Sequence, residues 1–297
     1  MTPRRYLLAL GTPGLVWVGL FVAAGLYALL AIAVGGVDPI LLTPVAAWNP
    51  AHWSSTWLVQ VFNALSPTNG QDWGVFIRTC QYIAIALAGC ILIGYPVAYY
   101  VALHAKRGKG LILGLLATPF LVSYMLRMLA WVGLLSPGGW VNDVLIHVHL
   151  ISHPVGWLAG RPSTVVFALI YGWVPYFIIP LYASLARFDR RYLEASNDLG
   201  GGPLSTFLHV TLPLSKQGIL AGTVIVALPM FGDFFTNALV SGAGSTSMVG
   251  TLINTDAQSQ TQQSLAAAVA VWLMLFLGLL LLPYVRSSAR AIREVSR

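Results

Sequence analysis

The chain of 297 residues is 57% hydrophobic and only 8% charged, with a mean hydropathy of +0.77. This excludes a soluble globular domain and points to an all-α integral membrane protein. Its excess of Lys and Arg, net +7, would suit nucleic acid only if the bases clustered on an aromatic or polar face; they sit instead in short loops between apolar runs. Cys80 and Cys90, about 15 Å apart on one predicted helix, are too distant to bridge or share a metal and read as packing residues.

Arg4 and Arg5 precede an apolar run of about 20 residues, longer than a cleavable signal core and long enough to span. Six such stretches, 12–34, 75–103, 111–135, 163–186, 218–240 and 264–285, predict six transmembrane helices in one membrane domain over 1–297. The bases are unevenly divided between the two sides. Arg4, Arg5, Lys106, Arg107, Lys109, Arg187, Arg190, Arg191, Lys216, Arg286, Arg290, Arg293 and Arg297 fall on one, Arg78 and Arg161 on the other, and Arg127 inside a span. Positive charge marks the cytoplasmic side, so both termini and the 187–217 loop are expected there.

Residues 35–73 are expected outside, with Pro39, Pro44, Pro50 and Pro67 among Trp48, Trp53 and Trp57. The tryptophans read as headgroup anchors, or alternatively as a docking surface for an external binding protein. Pro96 should bend the second span near its inner end. The turn after it, Gly108-Lys109-Gly110, lacks the Ser or Thr and the upstream glycine of a phosphate-binding loop, so nucleotide is expected on another chain.

Arg127 in the third span is costly in lipid and is by default functional or paired. Between spans three and four, His147, His149 and His153 have only Asp143 nearby. His147 and His149 would point about 200° apart on a helix, so an interfacial helix is expected in place of a metal site. Tyr171, Trp173 and Tyr176 in the fourth span offer aromatic faces that could attract a cation, or else pack helices. Asp233 in the fifth span lies at about the same depth as Arg127, roughly 23 Å from the cytoplasmic edge, which makes an ion pair possible. Residues 241–263 read as an external Gly/Ser/Thr/Gln-rich loop.

The longest polar interruption, residues 194–213, has a helix-start pattern at Glu194, a break at Gly200, Gly201, Gly202 and Pro203, and a second amphipathic turn carrying Leu204, Phe207 and Leu208 up to Pro213. Two short helices joined by a glycine bend would protrude as a rigid knob. Glu194-Ala195-Ser196, Gly200 and Val210-x-Leu212-Pro213 resemble the EAA motif of permease subunits in bacterial ABC importers, with Ser196 where the family usually has Ala and Val210 where it has Ile. The resemblance implies a type I importer permease fold with a coupling helix seated on a separate ATPase. Glu194, Ala195, Ser196, Asp198, Leu199, Gly200, Leu212 and Pro213 are the coupling candidates.

A second stretch, Pro119-Phe120-x-x-Ser123-x-x-x-Arg127-x-x-Ala130-Trp131, resembles the B-type permease of spermidine/putrescine importers, and the likeness runs over most of 75–285. It implies half of a polyamine pathway, with Ser123, Arg127, Trp131, Tyr171, Trp173, Tyr176 and Asp233 as pathway candidates. It further implies no catalysis or cofactor in this chain. ATP and magnesium would be held by a dimer of ATP-binding subunits, beside a C-type permease, an extracytoplasmic binding protein and membrane lipid, in a bacterial inner membrane. Another small solute, an anion or an aminophosphonate, is the alternative cargo, since Arg127 could greet a negative charge. A secondary transporter would need more ion-coupling groups than one acid, and no paired carboxylates or nucleophile–base set suggests a membrane enzyme.

Overall fold

In the computed structural model the described residues are 3–40, 43–67, 70–105, 108–189 and 191–295, with side chains described within 11–286. Lys106, Arg107, Arg190 and Arg297 lie outside the described residues, as do the side chains of Arg4, Arg5, Arg290 and Arg293. Six helical segments among them are long and apolar enough to cross a membrane: Gly11–Ala33, Trp73–His104, Tyr124–His147, Pro162–Leu185, Pro203–Phe231 and Gln263–Arg286. In lipid every backbone polar group must be satisfied within the chain, and long helices do this residue by residue. The chain divides into two units, Met1–Trp73 with Leu252–Leu277, and Gly74–Thr251 with Gly278–Arg297.

In the first unit α1 (Pro3–Ala33) leads into two paired strands, β1 (Gly36–Val37) and β2 (Pro44–Val45), antiparallel with Gly36 opposite Val45. A 3₁₀ turn at Pro50–His52, capped by the Asn49 carboxamide, and α2 (Thr56–Ala64) follow. Trp53 and Trp57 donate their indole N–H groups to the carbonyls of Ala47 (2.9 Å) and Gly35 (3.2 Å), and the Tyr27 hydroxyl donates to the Trp48 carbonyl. These aromatics therefore staple the segment's backbone as well as exposing ring surface. The stretch after residue 248, expected as a loop, carries α12 (Val249–Gln258) before α13 (Gln263–Val295), and Trp272 of α13 donates to the Leu58 carbonyl at 2.9 Å. Burial pushes the Asp256 carboxyl above its ordinary range, with the charge of Asp72 adding to the effect, and burial likewise raises Asp72.

In the second unit α3 (Trp73–Tyr99) runs through Pro96 and widens into a π-helical turn over Tyr100–His104. The expected third span, 111–135, is divided into α4 (Lys109–Leu121) and α5 (Tyr124–Leu135). Val122 and Ser123 between them are extended, soon after Pro119, and Ser123 is of the type that favours the start of a helix. α6 (Trp140–His147) and α7 (Pro162–Leu185) follow. Then come α8 (Arg191–Asp198), α9 (Pro203–Thr206), a second π turn at Phe207–Thr211, and α10 (Leu212–Phe231), which starts well before residue 218. α10 stops at Gly232–Phe234, after Pro229, and α11 (Phe235–Val240) resumes. Asp233 is therefore in a break between helices, not inside a regular span, and the 218–240 expectation is corrected accordingly.

The core of this unit is the contact between α7 and α10. Phe177 is fully buried, and a Cβ added at Gly222 would sit 2.9 Å from its ring, one at Gly94 2.7 Å from it. One of these glycines comes from α10 and the other from α3, so three helices approach closely around one aromatic ring.

Gly222→Val should destabilise the unit by about 1–3 kcal/mol, seen as a lower thermal midpoint in detergent. Gly14→Val, where nothing lies within 4 Å, should leave the midpoint unchanged. The Asp256 carboxyl is raised in the folded state, so its contribution to stability is present at low pH and lost as pH rises through the raised value. Asp256→Asn should therefore raise the midpoint at pH 7, with the gain shrinking as the pH falls below that value.

Candidate coupling knob and pathway residues

Asp189 starts the knob: its Oδ1 accepts the Arg191 backbone N–H at 3.0 Å, and the two side chains form an ion pair at 4.0 Å. α8 then presents Glu194, exposed, in its first turn. The helix closes with the N–H groups of Leu199, Gly200 and Gly201 bonded to the carbonyls of Ala195, Asn197 and Ser196. Gly200 takes φ +83°, a conformation only glycine adopts readily. The Ser196 hydroxyl lies 2.9 Å from that of Thr206, tying α8 to α9 across the bend. An alanine at 196 could not make that tie.

The expected second turn does not end at Pro213. α9, the π turn and α10 run on without interruption, so the knob is continuous with one end of a span. Large apolar side chains are left uncovered there: Leu199 is 90% and Leu204 71% exposed, with Tyr192 beside them. A hollow of about 390 Å³ is lined by Tyr192, Ala195, Ser196, Leu199, Ser205 and Val210. Asp198 is exposed at the end of α8, while Leu212 and Pro213 fall at the start of α10, outside the hollow.

Arg127 and Asp233 are both buried, at 6% and 7% exposure, but do not pair. Among the described residues the only ion pair is that of Asp189 and Arg191. Equal depth in two spans was not enough, because Tyr124 stands between the two groups. Its hydroxyl donates to Asp233 Oδ2 at 2.7 Å, Thr236 donates to the same oxygen, and the Thr236 backbone N–H donates to Oδ1 at 3.1 Å. The Arg127 guanidinium lies over the Tyr124 ring, 5.4 Å from its centre, and its one hydrogen bond runs from Nη1 to the Gly172 carbonyl at 3.4 Å. Arg127 Nε and Nη2 are buried without a partner. Leaving charged donors unmet inside a protein costs about 1–3 kcal/mol or more. The ring fits because residue 172 is glycine; a Cβ there would be 2.7 Å from Tyr124.

The aromatic candidates fall into two groups. Phe120, Tyr176, Trp173 and Tyr124 form a run with centroid steps of 4.1, 5.4 and 5.5 Å. Trp131 meets Phe167 and Tyr171 edge to face at 4.9 and 5.1 Å. The Trp173 indole N–H is buried without a hydrogen-bond partner. Ser123 is exposed at the break between α4 and α5, and its carbonyl accepts the Arg127 N–H at 3.1 Å. Tyr124 and Thr236 were not singled out in the sequence; the available signal was that Tyr124 lies three residues before Arg127, on the same helix face.

The segment after α5 is organised by Asn142, fully buried. Its amide donates to the Ser136, Pro137 and Val155 carbonyls and its oxygen accepts from the Val155 N–H and the Trp157 indole. His147, His149 and His153 are exposed. Among the described residues no group of three or more His, Cys, Asp or Glu could hold a metal ion.

The family described as "binding-protein-dependent transport system inner membrane component" matches residues 80–291. The spermidine/putrescine transport system permease protein PotB of Salmonella typhimurium (strain SL1344) is 32% identical over 75% of this chain and 77% of its own. PotB of Escherichia coli (strain K12) is 32% identical over 74% and 80%. The chain belongs to this permease family, alongside its PotB members. The permease has the fold of solved importers: a bacterial alginate ABC transporter matches at 17% identity, over 97% of this chain and 96% of that one, with a TM-score of 0.70. The MetNI methionine ABC transporter matches at 15% identity, over 82% and 98%, with a TM-score of 0.52. The permease is thus a multi-pass inner-membrane transport subunit of type I importer fold.

Gly200→Val forces a β-branched residue to positive φ at about 1–2 kcal/mol. It should speed limited proteolysis within 187–217 by about tenfold with helix content unchanged, whereas Gly202→Ala, in open space at φ −68°, should not.

Proposed function

We propose that the permease forms half of a polyamine pathway across a bacterial cytoplasmic membrane and is driven by a separate dimer of ATP-binding subunits seated on α8 and α9. The observation that carries the reading is the knob itself: a tied pair of short helices that leaves Leu199 and Tyr192 uncovered around a hollow, with Leu204 also exposed on α9. An exposed apolar patch of this kind, at the end of a span, suits a protein partner. The distribution of bases supports a cytoplasmic position for it and for both termini, on the side where ATP is.

Closure of the ATPase pair would drag α8 and α9. Because α9 continues through the π turn into α10, the pull passes along one helix, and α10 rests on α7 through Gly222 and Phe177. α7 carries Tyr171, Trp173 and Tyr176, and α10 ends beside Asp233. A displacement at the knob thereby reaches the aromatic run and the acid together. ATP and Mg²⁺ belong to the ATPase in this scheme; Glu194, in the first turn of α8, is placed to cap that helix or meet a base of the ATPase.

Cargo is argued from the name of the PotB relatives and from chemistry. Aromatic faces attract cations at about 0.5–2 kcal/mol each without imposing a rigid shape, which suits a flexible polyamine moving along Phe120, Tyr176, Trp173 and Tyr124. One six-span chain lines only part of such a route, so a C-type permease completes it and an extracytoplasmic binding protein delivers the cargo. A second reading, an anionic solute such as an aminophosphonate, draws on the two unpartnered nitrogens of Arg127.

In proteoliposomes holding the full importer, Trp173→Ala should lower spermidine uptake by roughly 2- to 30-fold, and Trp173→Phe should recover most of it. Leu199→Asp should abolish co-purification of the ATPase. Uptake of an anion but no polyamine by the unaltered importer would overturn the cargo, and retention of the ATPase by Leu199→Asp would overturn the coupling site.

A further inference from the structure

Arg127 is more than nine-tenths buried, yet two of its three nitrogens meet nothing. Asp233 is the buried acid on the other side of Tyr124, and its carboxylate is held by Tyr124 and Thr236. Tyr124 touches both: its hydroxyl bonds the acid and its ring underlies the base. The residues also sit at the two interruptions of the spans. Tyr124 is the first residue of α5, directly after the extended pair Val122–Ser123, and Asp233 lies in the gap between α10 and α11. α5 and α11 pack on one another and are both short, so each can rotate without breaking a long helix.

From this we infer that Tyr124 is a positioning residue that separates Arg127 from Asp233 in one state of the transport cycle and gives way to a direct Arg127–Asp233 ion pair in the other. The arrangement described above satisfies the acid and leaves the base unmet. The exchanged arrangement satisfies both charges and releases the Tyr124 hydroxyl. Two arrangements that each leave one group wanting are the condition for a two-state element that a pull along α10 can tip. The inference rests on the reading of α10 as the driven helix, and it gives Tyr124 a role no family resemblance assigned.

The test is a distance within this chain, so it does not depend on which solute crosses. In the assembled importer in lipid nanodiscs, with Cys80 and Cys90 replaced, spin labels at Leu129→Cys on α5 and Ala238→Cys on α11 report the two states by pulsed electron resonance. Both positions are exposed on this chain. The unaltered permease should show one distance without nucleotide and a second with ATP trapped. Tyr124→Phe should raise the nucleotide-free ratio of the second to the first by about tenfold, the scale of one lost hydrogen bond to a charged group. Combining it with Arg127→Gln should cancel the rise. If Arg127→Gln fails to assemble, Asp233→Asn serves in its place with the same expectation. An unchanged distribution in Tyr124→Phe, or a rise that persists without Arg127 or Asp233, would overturn the exchange. Failure of the unaltered importer to move polyamines would count against the cargo alone.

Discussion

Much of the second unit depends on how closely α7 and α10 approach. Phe177 fills the space that side chains at Gly94 and Gly222 would otherwise occupy. Between apolar helices in lipid there is no hydrophobic force to hold them, so association rests on van der Waals contact of this closeness. The consequence is mechanical. α10 is one helix from the π turn beside the knob to the break at Gly232, and α7 carries Trp173 and Tyr176 of the aromatic run, so the contact joins the knob's helix to that run. The Tyr95 hydroxyl, 2.9 Å from that of Ser215, adds a polar tie between α3 and α10 near the same end.

Much of this was legible in the chain. Apolar runs of spanning length predicted the number of membrane segments, though the third and fifth, expected at 111–135 and 218–240, fall at Tyr124–His147 and Pro203–Phe231; the glycine cluster with its flanking apolar residues located the knob, because Gly200 marks a backbone conformation that other residues avoid. Where each span is interrupted was not legible. Hydropathy averages over Val122–Ser123 and over Gly232–Phe234, since one polar or charged residue among apolar neighbours barely moves the mean over a spanning window. The helix through Pro213 was missed for the opposite reason: proline is a breaker inside a helix but is accommodated at a first turn, and here it follows a π turn whose bonding is already irregular.

Charge placement shows the same limit. Depth along two helices suggested that Arg127 and Asp233 face each other, but which acceptor a buried base meets depends on the side chains between, and Tyr124 intervenes only because residue 172 is glycine. The histidine-bearing segment likewise turns on Asn142, a residue with no motif around it, whose five hydrogen bonds hold the turn that leaves the histidines at the surface. Polar nodes of this sort are set by tertiary structure and leave no periodic trace.

The account stands on the knob being an intracellular contact for an ATP-driven partner. The most direct measurement is the reaction of a membrane-impermeant maleimide with Leu199→Cys, in a permease lacking Cys80 and Cys90. Labelling in inverted vesicles stripped of the ATPase, suppressed when the ATPase is added back and absent in intact cells, is the predicted result. Labelling from outside intact cells would contradict it.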